Sequence, residues 1–382
     1  MTPVSVWVER LQLRNFRSYG SCDLTLEPRP IVLTGPNGAG KTNLLEAVSL
    51  LAPGPGLRRA AYADMTRAGS SDAWIVSALV HNPEGSVRIG TTATRRGPEG
   101  DAAGRVVRIN GENAQPAALA EHLEILWLTP AMDGLFTGSA GDRRRFLDRL
   151  IAGFDPGYRT RLGHFERAMR QRNRLLEDLA APAAELEGLE LQMAETGVAI
   201  AASRIEATEQ LRATIEARRA AAPASPFPWA EIALEGRIES LLPGIPAVDA
   251  EDAYARLLRQ GRARDRAAGR TLEGPHLCDL AVTHGPKQLA ARLCSTGEQK
   301  ALLINLILGQ AELVTRRRHG AAPLLLLDEI AAHLDQQRRE ALFGELLDKG
   351  LQAWLTGTDR APFSPLKSSA QCLEIGPEIL PV

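Results

Sequence analysis

The segment Gly35-Pro36-Asn37-Gly38-Ala39-Gly40-Lys41-Thr42 constrains this chain more than any other stretch, because it fits a phosphate-loop pattern at every fixed position. Small residues at Gly38, Ala39 and Gly40 let successive backbone N–H groups turn inward around a β-phosphate. Lys41 adds a point positive charge there, and Thr42 offers its hydroxyl to Mg²⁺. Such a loop works between a strand and a helix. Residues 30–34 read as a short buried strand, and residues 43–51 as an amphipathic helix whose N-terminus faces the anion. The chain is therefore expected to bind nucleotide through residues 35–42, each of them lining the site.

A second stretch supplies the chemistry that a phosphate loop lacks. Leu324-Leu325-Leu326-Leu327 is continuously apolar, as in a central parallel strand, and ends in Asp328-Glu329. Asp328 is expected to hold Mg²⁺ with Thr42, and Glu329 to polarise the attacking water. Upstream, Ser295-Thr296-Gly297-Glu298-Gln299-Lys300 opens a helix, so the serine hydroxyl, the glycine N–H and the helix N-terminus can meet a γ-phosphate. The same residues also read as a capping box, Ser295 at the cap with Glu298 three residues on, and both roles can hold together. With Leu334-Asp335 following the acidic pair, the order matches the ATP-binding-cassette class, in which Ser295, Gly297, Glu298 and Gln299 form the signature and Leu334 and Asp335 the D-loop.

Lys41 and Ser295 stand 254 residues apart, so the ATPase must be assembled from two distant segments. Between them the pattern turns helical at about 142–150, 157–179 and 182–222, then at 249–269 with Asp249 as the expected N-cap. The segment 182–222 is long enough for roughly 60 Å of helix, but Gly188 and Gly197 interrupt its heptads, which favours a short arm over an extended coiled coil. Strands are expected at 4–14, 22–26, 74–80, 86–92, 105–110, 229–238, 279–283 and 353–356, and helices also at 296–313 and 337–349. The expected plan is an α/β head made of residues 1–141 and 271–382 with a mainly helical arm, 142–270, inserted between them.

Composition narrows the partners. The 382 residues are 44% hydrophobic and 24% charged, an ordinary globular mixture, and no apolar run reaches the roughly 20 residues of a membrane span. Residues 1–12 lack the order of a signal peptide, so a cytoplasmic protein without a membrane partner is expected. Cys22, Cys278, Cys294 and Cys372 lie too far apart for a Cys-x-x-Cys zinc or disulfide pattern. A net charge of −1 gives no global signature of nucleic-acid binding, so DNA contact must rest on a local patch. Forty arginines against five lysines look like a genomic preference and identify no such patch; Arg58-Arg59 and arginines of the arm are candidates for phosphate contact, and none can be assigned.

The discontinuous plan resembles the SMC-like branch of the class more than transporter ATPases, whose cassette is contiguous. Nearly end to end, the chain resembles the RecF family of bacterial DNA-repair ATPases. The resemblance is carried by Leu13-Arg14-Asn15-Phe16-Arg17-Ser18-Tyr19, by the run from Gly138-Ser139-Ala140-Gly141 through Asp142-Arg143-Arg144-Arg145 to Phe146-Leu147-Asp148, by Gly274-Pro275-His276 and by Thr356-Gly357-Thr358-Asp359. It implies an ATP-dependent homodimer that binds gapped or junction DNA, hydrolyses ATP slowly with Mg²⁺, and works with RecO and RecR to place RecA. The chain departs from the family at Leu277-Cys278-Asp279, where an arginine and two acids are usual, and at Glu329, which replaces a second aspartate. Neither a switch histidine nor the metal-linked glutamine expected after Leu128-Thr129-Pro130 is identifiable. Two alternatives stay open: another SMC-like DNA-bridging ATPase, or the ATPase subunit of a transporter.

Overall fold

The computed structural model describes residues 5–93, 104–178, 180–376 and 378–381; position 4, where the first strand was expected to start, and Leu179, the expected end of a helix, lie outside the described residues. In chain order the first segment contains β1 (Trp7–Phe16), β2 (Tyr19–Thr25), β3 (Ile31–Thr34), α1 (Lys41–Ser49), β4 (Ile75–Asn82), β5 (Gly85–Ala93), β6 (Arg105–Ile109), β7 (Glu112–Ala114), α2 (Leu119–His122) and β8 (Ile125–Leu128). The middle contains α3 (Ala140–Phe154), α4 (Tyr158–Glu177), α5 (Ala183–Ala221), β9 (Ala230–Glu235), α6 (Arg237–Leu241), α7 (Ala247–Ala268), β10 (Asp279–His284) and β11 (Leu289–Ala290). The last contains α8 (Thr296–Arg317), β12 (Leu324–Leu327), α9 (Gln336–Asp348), β13 (Ala353–Gly357), β14 (Gln371–Ile375) and β15 (Ile379–Pro381).

Two compact units result: Met1–Asp133 with Pro223–Phe227 and Thr296–Val382, and Gly134–Ala222 with Pro228–Ser295. The first holds two six-stranded sheets. One runs β2-β1-β4-β5-β6-β7 and is antiparallel throughout; the other runs β15-β14-β3-β13-β12-β8, parallel except for β15. Alternation explains how they share a core. On β3 Ile31 and Leu33, and on β12 Leu324 and Leu326, join Leu44, Leu45 and Val48 of α1 and the inner face of the antiparallel sheet in one apolar cluster. The intervening Leu325 and Leu327 are equally buried and point to the opposite face. The almost continuously buried α8, Gln299 through Leu308, is the kind of helix that a covered parallel sheet requires.

In the second unit α4, α5 and α7 pack together, and β11-β10-β9 forms a small antiparallel sheet beside α3. The 39-residue α5 matches the expected arm helix, at about 58 Å. Several expectations are corrected. Residues 271–295, expected with the head, group with the helical unit, because β10 pairs with β9 from Asp279↔Glu235 to His284↔Ala230. The strand expected at 229–238 stops at Glu235, and Ile238 belongs to α6. Asp249 is not the cap of α7: the helix begins at Ala247 behind Pro246, and Asp249 lies in its first turn, where a negative charge meets the helix dipole. The strands β7, β8, β11, β14 and β15 were not anticipated; each is only two to five residues long.

Two buried arginines hold the helical unit together. Arg172 of α4 donates to Glu190 of α5 at 3.1 Å, to Asp265 of α7 at 2.8 Å, to Thr271 at 2.9 Å and to the Leu258 carbonyl at 2.7 Å. Arg204 of α5 reaches Asp148 of α3 at 2.9 and 3.1 Å and the Pro275 carbonyl at 2.5 Å. A buried guanidinium is tolerable only when its five N–H donors are used, and removing one acid from such a set leaves an unpaired buried charge.

Candidate functional site

β3 delivers the phosphate loop and α1 receives it. Three glycines carry positive φ, Gly35 at 144°, Gly38 at 81° and Gly40 at 109°, and so bend the chain as no β-carbon-bearing residue would readily do. The positions are not equivalent. A β-carbon on Gly35 would lie 2.2 Å from the Ile375 carbonyl oxygen, and one on Gly40 would lie 2.7 Å from the Tyr19 hydroxyl, whereas Gly38 has nothing within 4 Å. Gly38 therefore leaves a cradle open above the loop. Lys41 is buried, and its Nζ donates to the carbonyls of Gly35 at 2.7 Å and Pro36 at 2.9 Å. Burial pushes the Lys41 pKa down, while the charges of Glu329 and Asp328 pull it back up.

β13 stands between β3 and β12 in the sheet, so the loop and the acidic pair flank one strand. Thr42 Oγ1 donates toward both oxygens of Asp328, at 3.1 Å each, which joins residues 286 positions apart. Glu329 sits just beyond β12 with φ 50° and ψ 33°, a left-handed conformation rare for a residue with a side chain. The hydroxyl of Thr356 on β13 donates to Asp328 Oδ1 at 2.7 Å and accepts the Glu329 N–H at 2.8 Å. A hydroxyl and a carboxylate facing each other are a hard oxygen donor set suited to Mg²⁺. Beside them an open glycine cradle and a cation hydrogen-bonded to two loop carbonyls suit the β- and γ-phosphates of a nucleotide.

The motif from Leu13 to Tyr19 braces this site. Asn15, next to last in β1, and Arg17, in the turn before β2, take positive φ, 48° and 53°. Arg17 grips Glu46 of α1, whose side chain is fully buried, through bonds of 2.9 and 2.8 Å, and Arg58 adds another at 3.2 Å. Tyr19 donates its hydroxyl to the Gly40 carbonyl at 3.1 Å, and Asn43 donates to Ser18 at 2.8 Å. Behind the helix, Arg105 of β6 donates to the carbonyls of Leu50, Ala52 and Gly54. Sequence reasoning missed Glu46 and Arg105. The readable signal was an acid between Leu45 and Ala47 on an otherwise apolar helix face.

The remaining sequence candidates are placed as follows. Ser295 is exposed and belongs to the helical unit, while Gly297, Glu298 and Gln299 open α8 in the other, progressively more buried. The next residue, Lys300, is 3% exposed and pairs with Asp133, pinning the first turn of α8 to the segment after β8. Positions 129–142 contain no glutamine. Leu334 is buried, and Asp335 caps α9 by accepting the Arg338 N–H at 2.8 Å. Asp279, at the departure from the family pattern, accepts two bonds from Arg143, of 2.8 and 2.7 Å; these hydrogen bonds hold its carboxyl below the usual range. That pair joins the Gly138–Asp148 motif to the Gly-Pro-His segment inside one unit, with Leu277 left exposed. Among the described residues no group of histidine, cysteine and acids forms a further metal site, and no helix is long and apolar enough to cross a membrane.

The family model described as RecF/RecN/SMC N terminal domain matches residues 7–357. The chain is 52% identical over 374 residues to the DNA replication and repair protein RecF of Mesorhizobium japonicum, covering 98% of this chain and 97% of that protein. The chain belongs to the RecF family. RecF of Rhizobium rhizogenes is likewise 52% identical, over 97% of this chain and 96% of its own. Among solved structures, one described as the recombination mediator protein RecF-ATPrS in the RecFOR pathway superposes with TM-score 0.85 at 21% identity, covering 98% and 97% of the two chains. An Smc head domain with an extended coiled coil from Pyrococcus furiosus superposes with TM-score 0.53 at 16% identity, covering 99% and 96%. The fold is that of the RecF and SMC type of ATPase head, as the loop and the acidic strand imply.

Proposed function

We propose that this RecF-family chain is an ATP-driven DNA-binding switch of recombinational repair and replication restart, in which hydrolysis is slow and serves release. The observation that carries this reading is the convergence of Lys41, Thr42, Asp328 and Glu329 around one strand from segments 286 positions apart. The names of its relatives, DNA replication and repair protein RecF, and the nucleotide named with the RecF structure support the same reading. Residues 35–42 wrap the phosphates, and Lys41 adds its charge to the β- and γ-phosphates. Thr42 and Asp328 would hold Mg²⁺, which when bound would supply positive charge beside the phosphates, and Glu329 would accept a proton from the attacking water.

Ser295, Gly297, Glu298 and Gln299 act in trans: they cap the γ-phosphate held by a second copy, with Leu334 and Asp335 beside them. ATP thus closes two heads, and its hydrolysis releases them. DNA is held by its backbone without sequence preference at gaps or junctions, with the exposed Arg58 and Arg59 and arginines of the helical arm as unranked candidates for phosphate contact. RecO, RecR and RecA are the expected partners, in the cytoplasm. Fluorescent ATP titrated into the protein with and without Mg²⁺, followed by gapped-DNA binding at two salt concentrations, tests the reading. Saturable ATP binding and salt-sensitive, ATP-strengthened DNA binding support it; absence of nucleotide binding refutes it.

A further inference from the structure

Thr356 is a polar residue in a strand that has no general use for one. It is fully buried at the centre of the parallel sheet, preceded on β13 by Trp354 and Leu355, also without solvent access. A valine would have the same shape and an equal or better fit to a strand. A hydroxyl offers one donor and two acceptor lone pairs. Here the donor goes to Asp328 Oδ1 at 2.7 Å, and the oxygen accepts the Glu329 N–H at 2.8 Å. One side chain thus holds both members of the acidic pair from the neighbouring strand.

The two bonds do different things. Thr42 approaches Oδ1 and Oδ2 of Asp328 equally, at 3.1 Å, so by itself it leaves the carboxylate free to rotate between them. The shorter bond from Thr356 engages Oδ1 alone and so holds the carboxylate against that rotation. At Glu329 the problem is backbone direction: with φ 50°, the residue occupies a well that side chains disfavour, and it needs an external hold. The Thr356 oxygen supplies it at the amide. Lys41, which feels the charges of both acids, is the third group whose surroundings depend on that setting.

We propose that Thr356 is the positioning residue of this site, setting the carboxylate of Asp328 toward the metal and the backbone of Glu329 toward the attacking water. The proposal rests on the ATPase reading above and adds the residue that aligns its acids. It acts through Asp328 and Glu329 and touches no substrate. Losing such an outer partner lowers metal affinity or turnover about 10–100-fold in comparable sites.

The test compares wild type with Thr356→Val, Thr356→Ala and Thr356→Ser. Three quantities are read: affinity for fluorescent ATP without metal, Mn²⁺ affinity by paramagnetic resonance in the presence of a slowly hydrolysed ATP analogue, and kcat and KM for ATP. Thr356→Val and Thr356→Ala should bind metal-free ATP within about 3-fold of wild type while losing about 10-fold or more in Mn²⁺ affinity and in kcat. Thr356→Ser, which keeps the hydroxyl, should recover both. The proposal is overturned if a hydroxyl-free variant keeps Mn²⁺ affinity and kcat, or if Thr356→Ser is as impaired as Thr356→Val with a matching fall in Tm. Wild type that binds no ATP overturns the ATPase reading itself, a result separable from either of these.

Discussion

Arg17 holds the fully buried carboxylate of Glu46 through two hydrogen bonds, of 2.9 and 2.8 Å, so the turn after β1 is fastened to the helix that carries the phosphate loop. Glu46→Ala should lower stability by about 2–3 kcal/mol, less than the ~3–5 of a fully enclosed pair, because Arg17 and Arg58 can turn toward water. Thermal melts of the variant with and without ATP check this. A melting curve equal to wild type would show that the pair is decorative.

Glu329 is the residue assigned to the attacking water. Glu329→Gln keeps the shape and removes the base, so kcat should fall about 10²–10⁴-fold while ATP affinity stays near wild type. The proposed ATP-bound dimer should persist longer, as seen by light scattering. Hydrolysis at the wild-type rate would remove Glu329 from its role.

The glycines of the loop separate by their surroundings. Gly35→Ala combines a φ of 144° with a contact of 2.2 Å to a backbone oxygen, so the head should fail to fold or melt far below wild type. Gly38→Ala meets only the strain of φ 81°, costing about 1–2 kcal/mol, and should give a folded protein with weakened ATP binding. Equal melting temperatures for the two variants would contradict the close approach seen at Ile375.

The pairing of Asp279 with Arg143 gives the helical unit an acid-sensitive tie. Its folded pKa lies below the unfolded value of about 3.9, because the bonds from Arg143 favour the charged form. The pair's contribution is therefore complete above that unfolded value and is lost as pH falls through the lower folded one. Asp279→Asn should cost about 1–3 kcal/mol at pH 7, and the gap to wild type should close on acidification. Unfolding curves from pH 7 to pH 3 measure it; a gap independent of pH would assign the effect to packing.

The loop and the acid-terminated strand were legible because their chemistry fixes both residue type and flanking pattern: Lys41 needs small residues before it, and Asp328 needs an apolar strand behind it. What stayed hidden depends on long-range pairing. Nothing local announces that Gln371 begins a strand beside β3, or that residues 279–284 pair with 230–235 and so join the helical unit. The roles of Glu46 and Thr356 were missed for a related reason: the acid on an apolar helix face and the Thr356-Gly357-Thr358-Asp359 motif stand in the sequence, but their partners lie on other elements. The signature residues were read from their helix-opening pattern and their order, and their partner in the proposed site is a second copy of the chain.

The claim that ATP joins two copies of this chain on DNA is tested most directly by measuring mass and gapped-DNA affinity together, with and without ATP, for wild type and Lys41→Ala. Wild type should pass from monomer to dimer on ATP addition and bind DNA more tightly in the same titration, while Lys41→Ala stays monomeric and unresponsive. A wild-type monomer whose mass and DNA affinity ignore ATP would contradict the account.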